Sequence, residues 1–187
     1  MFKKISGIVL VSVMLATAGY SMEVAGVNMA DTISAGGTTL TLNGAGLRTK
    51  FFIKAYIAGL YLAQKSNNAA AIVAADQPMA IRLYINSKMI TSDKMEAATK
   101  EGFQNATKGN TAPIQAKIDS FMATFKEPLK VGDIFDFVNV PGKGVEIYKN
   151  GTLKNTVAGL DFKKALFGIW LGDKPAQDDL KAKMLGK

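Results

Sequence analysis

Residues 38–42 alternate polar and apolar, the period of a half-buried strand. Asn43-Gly44-Ala45-Gly46 follows as a turn or bulge signal. Residues 47–62 are rich in aromatic and β-branched side chains and apolar on both faces. They predict one or two long central strands. Residues 79–85 predict another. Helical periodicity then takes over. Asp93 and Glu96 have capping-box spacing and open a helix through Thr107, which Gly109 ends. Thr111 and Pro113 open the next helix, with Ile114, Ile118, Phe121, Met122 and Phe125 on one face and Pro128 as its stop.

Residues 134–140 and 144–149 predict strands on either side of Pro141-Gly142. Asn150-Gly151 is a two-residue hairpin signal leading into a strand over 153–157. Asp161 caps a short helix through Trp170, Gly172 closes it, and Pro175 begins a last helix to Leu185. The order is strands, helices, strands, helices, with no βαβ alternation. That predicts α+β, an antiparallel sheet with helices packed on it.

The first 21 residues stand apart. Met1-Phe2-Lys3-Lys4 is a short basic stretch, residues 5–15 are apolar, and small residues follow up to Ser21. This is the pattern of a secretory signal peptide, placed at 1–21. It leaves 22–187 as one domain, periplasmic or secreted, with no stable membrane insertion after signal removal. The chain has no cysteine and no histidine. That excludes disulfides, thiolate and histidine metal sites, and serine–histidine or cysteine–histidine catalysis. The formal charge of +8 drops by two when Lys3 and Lys4 leave. The basic residues are scattered, which reads as a solvated lysine-rich surface, with no nucleic-acid partner. Oligomeric state stays open.

Arg48 and Arg82 are the only arginines among 23 basic residues. A chain that uses lysine for surface charge reserves arginine for planar, bidentate contacts. If pairing runs unbroken, period-2 alternation puts Arg48, Lys50, Phe52, Lys54 and Tyr56 on one face. Such a face is a candidate seat for a carboxylate with an apolar tail, and Arg48, Tyr56 and Lys54 are its ligand-binding residues. The competing reading pairs Arg48 with an internal acid and sends Lys54 to solvent. Asp133 and Asp136 read as turn and strand-surface carboxylates, and no residue is assigned as catalytic.

Residues 44–50 and 54–62 (Gly-Ala-Gly-Leu-Arg-Thr-Lys, then Lys-Ala-Tyr-Ile-Ala-Gly-Leu-Tyr-Leu) carry a family resemblance. So do Gly159-Leu160-Asp161-Phe162 and the stretch from Ala165 to Pro175, together with Gly132-Asp133 and the Asn150-Gly151 hairpin. On these motifs the chain resembles the bacterial exported branch of the chalcone isomerase-like family. The resemblance implies a curved antiparallel sheet with a helical layer on one face and a ligand cleft between them. It implies no cofactor. Within the family, plant enzymes close a flavanone ring with an arginine, a threonine, a tyrosine and an asparagine; fatty-acid-binding relatives hold a carboxylate with an arginine and a tyrosine. Matched by position, the arginine is Arg48 and the threonine position is Tyr56. The tyrosine position is Met95 and the asparagine position Gly102. Three of the four polar positions depart from the enzymes. The resemblance therefore implies non-catalytic binding of a small acidic, partly apolar ligand of fatty-acid type. The alternatives are an isomerase or intramolecular lyase using Arg48, and a periplasmic adaptor with no ligand.

Overall fold

The computed structural model describes residues 22–35 and 37–187, so the predicted signal peptide lies outside the described residues. A short hairpin comes first, β1 (Met22–Val24) and β2 (Val27–Met29). A seven-stranded antiparallel sheet then runs in sequence order from β3 (Thr32–Ala35) through β4 (Thr38–Lys50), β5 (Ile53–Leu62), β6 (Met79–Ile85), β7 (Ile134–Val140) and β8 (Gly144–Lys149) to β9 (Thr152–Val157). Its curled shape and helical covering match the α+β expectation. The helices are α1 (Ala69–Ala74), α2 (Ser92–Ala106), α3 (Gln115–Met122), α4 (Leu160–Leu171) and α5 (Asp178–Met184).

The main core lies between the helices and one face of the sheet. Seven aromatic contacts run through it, linking Phe103, Phe121, Phe125, Phe135, Phe137, Phe162 and Trp170. A smaller core occupies the opposite face, where Met29 joins Leu40, Leu42, Ile57, Tyr61 and Val138. The helical layer is therefore confined to one face, and the N-terminal hairpin contributes to the other.

Several boundaries moved. The apolar run 47–62 is a hairpin of two strands, with Phe51-Phe52 as its two-residue turn. Both phenylalanines have positive φ, 49° and 64°, the type I′ conformation that Asn-Gly normally supplies. Each costs about 1–2 kcal/mol in a residue with a Cβ. Asn43-Gly44-Ala45-Gly46 does not turn the chain. It continues β4 through a bulge at Asn43, where pairing steps from Leu42↔Tyr61 to Gly44↔Leu60. The glycines serve close approach instead: a Cβ on Gly44 would collide with the Lys183 carbonyl oxygen of α5. The bulged Asn43 side chain donates to the carbonyls of Ser66 and Met184, at 2.9 Å each, and so ties β4 to α5.

The cap of α2 is Thr91, whose hydroxyl accepts from the Lys94 amide, and not Asp93. The last helix begins at Asp178, three residues past Pro175. Helix α1 has no counterpart in the predicted elements, because a six-residue alanine-rich turn carries little periodicity.

Helix α1 ends on a buried lysine. Lys163 of α4 is fully buried, and its ammonium donates to the carbonyls of Ile72, Val73 and Ala75 at 2.6–2.9 Å. These are the oxygens a helix C-terminus leaves unpaired, and a cation is favoured there. Burial pulls the Lys163 pKa down to about 8 from 10.5. The folded protein thus releases this proton at lower pH than the unfolded chain, which makes stability rise with pH between about 8 and 10.5. Thermal melts of wild type minus Lys163→Met should show that rise. A difference that is flat across the window would refute it.

Candidate functional site

A cleft of about 400 Å³ opens at one end of the sheet, between the β4–β5 hairpin and helices α2 and α4. This lies within the range of small-molecule sites, about 300–1,000 Å³. Its walls are mainly apolar, with Ile53, Ile90, Met95, Ile169 and Trp170 prominent.

Arg48 and Tyr56 both line it. They are direct cross-strand partners on β4 and β5, which brings their Cβ atoms to about 4.5–5.5 Å. Arg48 is half-buried. Its Nη1 donates to Gln177 Oε1 and to the Thr49 carbonyl, both at 3.2 Å. Gln177 is itself fixed, accepting from the Thr49 amide at 2.9 Å and donating to the Leu47 carbonyl at 3.3 Å. Among the described residues no carboxylate forms an ion pair with Arg48. A guanidinium carries five N–H donors, so most of this one's capacity is left for a guest.

Tyr56 is buried, and its oxygen accepts from the indole N–H of Trp170 at 3.0 Å. Indole nitrogen can only donate, so that bond leaves the phenol's own hydrogen uncommitted. Burial raises the Tyr56 pKa, and the Trp170 hydrogen bond and the Arg48 charge oppose it only in part. The phenol therefore stays protonated at neutral pH and offers a donor, not a base. Guanidinium and phenol together form an all-donor pair facing an apolar space.

Lys54 is exposed and is not part of the cleft wall. The physical reason is a second bulge. Pairing steps from Arg48↔Tyr56 to Thr49↔Lys54, leaving Ala55 without a partner. One extra residue inverts the parity of everything before it. Ile53, Ala55 and Tyr56 line the cleft, while Lys54 between them reaches solvent. The alternation over 48–56 assumed in the sequence does not survive the turn and the bulge.

Met95 and Gly102 also line the cleft. A Cβ on Gly102 would sit 2.7 Å from Ile169 Cγ2, so α2 and α4 approach too closely there for a polar side chain to fit unaided. The cleft's other polar members are Lys50 of β4 and Lys94, Thr99, Glu101 and Asn105 of α2, and Glu101 lies 3.6 Å from Lys50. Sequence reasoning did not bring Trp170 or Gln177 to the site, although Trp170 is both buried in the main core and in the cleft wall. Neither carries a local signal, since each meets its partner across more than 110 residues.

The second arginine has a different role. Arg82 Nε and Nη2 donate to the two oxygens of Asp136, at 2.7 and 2.9 Å, across the β6–β7 pair. The Tyr61 ring lies 5.8 Å away, in the smaller core away from the cleft. Asp136, read as a strand-surface carboxylate, is a mostly buried structural partner.

A family model described as chalcone isomerase-like matches residues 21–186. The chain belongs to the chalcone isomerase-like family. Among solved structures, a fatty-acid binding protein of Arabidopsis thaliana superposes with a TM-score of 0.71 at 19% identity, covering 86% of this chain and 92% of that one. At that identity the likeness establishes the fold. No curated protein matches the sequence.

Proposed function

We propose that this chain binds, without transforming it, a small molecule with a carboxylate head and an apolar tail, of fatty-acid type. The observation that carries this reading is the pairing of Arg48 and Tyr56. Two donors, one cationic, face a mainly apolar cleft, and among the described residues no carboxylate forms an ion pair with the arginine. A carboxylate accepts from both, and charge-assisted bonds of this kind are the strong ones. The tail would lie against Ile53, Met95 and Ile169. Lys54 is left out of the site. The Arabidopsis structural relative is a fatty-acid binding protein, which supports the same class. An adaptor with no ligand has no need of such a cleft. The direct test is displacement of a fluorescent fatty-acid analogue from wild type and Arg48 variants.

Ring closure needs its whole donor set in place. The resemblance matches Met95 and Gly102, both in the cleft wall, to two of those positions, so no chalcone cyclisation above the uncatalysed rate is expected. Turnover that disappears in Arg48→Ala would reverse this assignment and make the protein an isomerase.

We further propose that the chain is exported and belongs to the family's bacterial exported branch. Lys3-Lys4, the apolar run behind them and the small residues ending at Ser21 support this. The mature protein's intact mass should lack residues 1–21. A soluble extracytoplasmic pool that retains Met1 would count against it.

A further inference from the structure

Among the described residues, the tip of the β4–β5 hairpin carries the two most exposed large apolar side chains. Phe51 is 83% exposed and Phe52 100% exposed. Both are held at positive φ, where asparagine and glycine would be relaxed. An aromatic pair that is strained and unpacked contributes nothing to the fold that Asn-Gly would not supply better. Met89, half exposed, stands in the neighbouring loop, which Asn86 ties to Lys54 through its amide side chain and to Ala55 through its backbone.

The charge around this tip has one dominant sign. Lys50 and Lys54 flank the turn, and Lys88 and Lys94 are exposed on the adjoining loop and helix. Lys94 donates to the Met89 carbonyl at 3.0 Å. Glu101 is an acidic neighbour, 3.6 Å from Lys50. Phe51, Lys50 and Lys94 also line the cleft, so the tip stands at the cleft's own rim.

We propose that Phe51 and Phe52 form a membrane-docking tip, seated in the interface of an anionic lipid surface with the surrounding lysines at headgroup level. A bilayer fits better than a protein partner on size and shape. Two phenylalanine side chains present at most about 300–500 Å², against roughly 800 Å² per partner in a stable protein interface. A protruding pair of rings ringed by lysine is what an interface of acyl chains below anionic headgroups accommodates. No helix among the described residues is long and apolar enough to cross a membrane, and this contact is peripheral and reversible. Docking would hold the rim of the cleft against the lipid. The inference does not depend on what the cleft binds.

The test is sedimentation of the full mature protein with phosphatidylcholine vesicles, with and without phosphatidylglycerol. Wild type should bind the anionic vesicles, release with added salt, and ignore the neutral ones. Phe52 lies outside the cleft wall. Phe52→Gly should lower vesicle partitioning roughly tenfold while leaving the melting temperature equal or higher and fatty-acid-probe binding in solution unchanged. Lys54→Glu should weaken anionic binding alone. Wild type that ignores both vesicles, or equal partitioning by Phe52→Gly, overturns the proposal. So does self-association that Phe52→Gly abolishes without any vesicle binding, which would assign the tip to a second copy of the chain.

Discussion

Arg48→Ala is expected to weaken binding of a fluorescent fatty-acid analogue by about 30- to 150-fold, or about 2–3 kcal/mol. This is the lower part of the range for truncating one side of a buried charge pair, because Arg48 is only half-buried and some of its attraction is screened. The fold should survive. Gln177, which meets the guanidinium at 3.2 Å, keeps its bonds to the Thr49 amide and the Leu47 carbonyl without it. Arg48→Lys should fall between wild type and alanine, since an ammonium keeps the charge but not the fork. Tyr56→Phe should cost about 0.5–1.5 kcal/mol in binding. It also strands the Trp170 indole N–H, whose acceptor is that phenol, so a loss of stability should accompany it. A folded Arg48→Ala with wild-type affinity would end the carboxylate-seat reading.

The other arginine predicts the opposite pattern. Asp136→Ala should destabilise the protein by about 3–5 kcal/mol, because it leaves the Arg82 guanidinium mostly buried with no counter-charge. Probe affinity in the remaining folded protein should not change, since the pair lies away from the cleft wall. Replacing both partners, as Arg82→Met with Asp136→Leu, should recover most of the loss: the desolvation penalty disappears together with the attraction. Denaturant titration of the three proteins measures both steps. A cost below about 1 kcal/mol for Asp136→Ala would show that the ion pair is solvated like a surface bridge. Taken together, the variants separate an arginine that holds the sheet from one that faces the cleft, though composition alone makes them look alike.

Local pattern was enough for much of the architecture. Strands β6, β7 and β8 fall where alternation and turn residues place them. The Asn150-Gly151 turn has both residues at positive φ, as its dipeptide demands. Helices α2 and α4 sit within two residues of their predicted spans, because each carries a long apolar face and a glycine near its end. These features depend on neighbours in the chain, so the chain displays them. The scarcity of arginine likewise pointed to Arg48 and Arg82 before any contact was visible.

What the cleft contains was decided elsewhere. Lys54 is a case in point: its placement beside Arg48 and Tyr56 required unbroken pairing, and a single unpaired residue at Ala55 sent it to the other side. A bulge is a property of two strands and their partners, and nothing local in Lys54-Ala55-Tyr56 announces it. The same holds for Asn43, whose bulge is clamped by Ser66 and Met184 from distant parts of the chain. Trp170 and Gln177 reach Tyr56 and Arg48 only because α4 and the segment before α5 fold back over the end of the sheet. By itself, then, the sequence determined most of the larger elements, the class of fold and the two arginines worth asking about, but not β1, β2, β3 or α1. Tertiary structure decided which arginine had a carboxylate and which side chains share the cleft, because parity across a bulge and contacts between remote helices exist only once the sheet has closed against them.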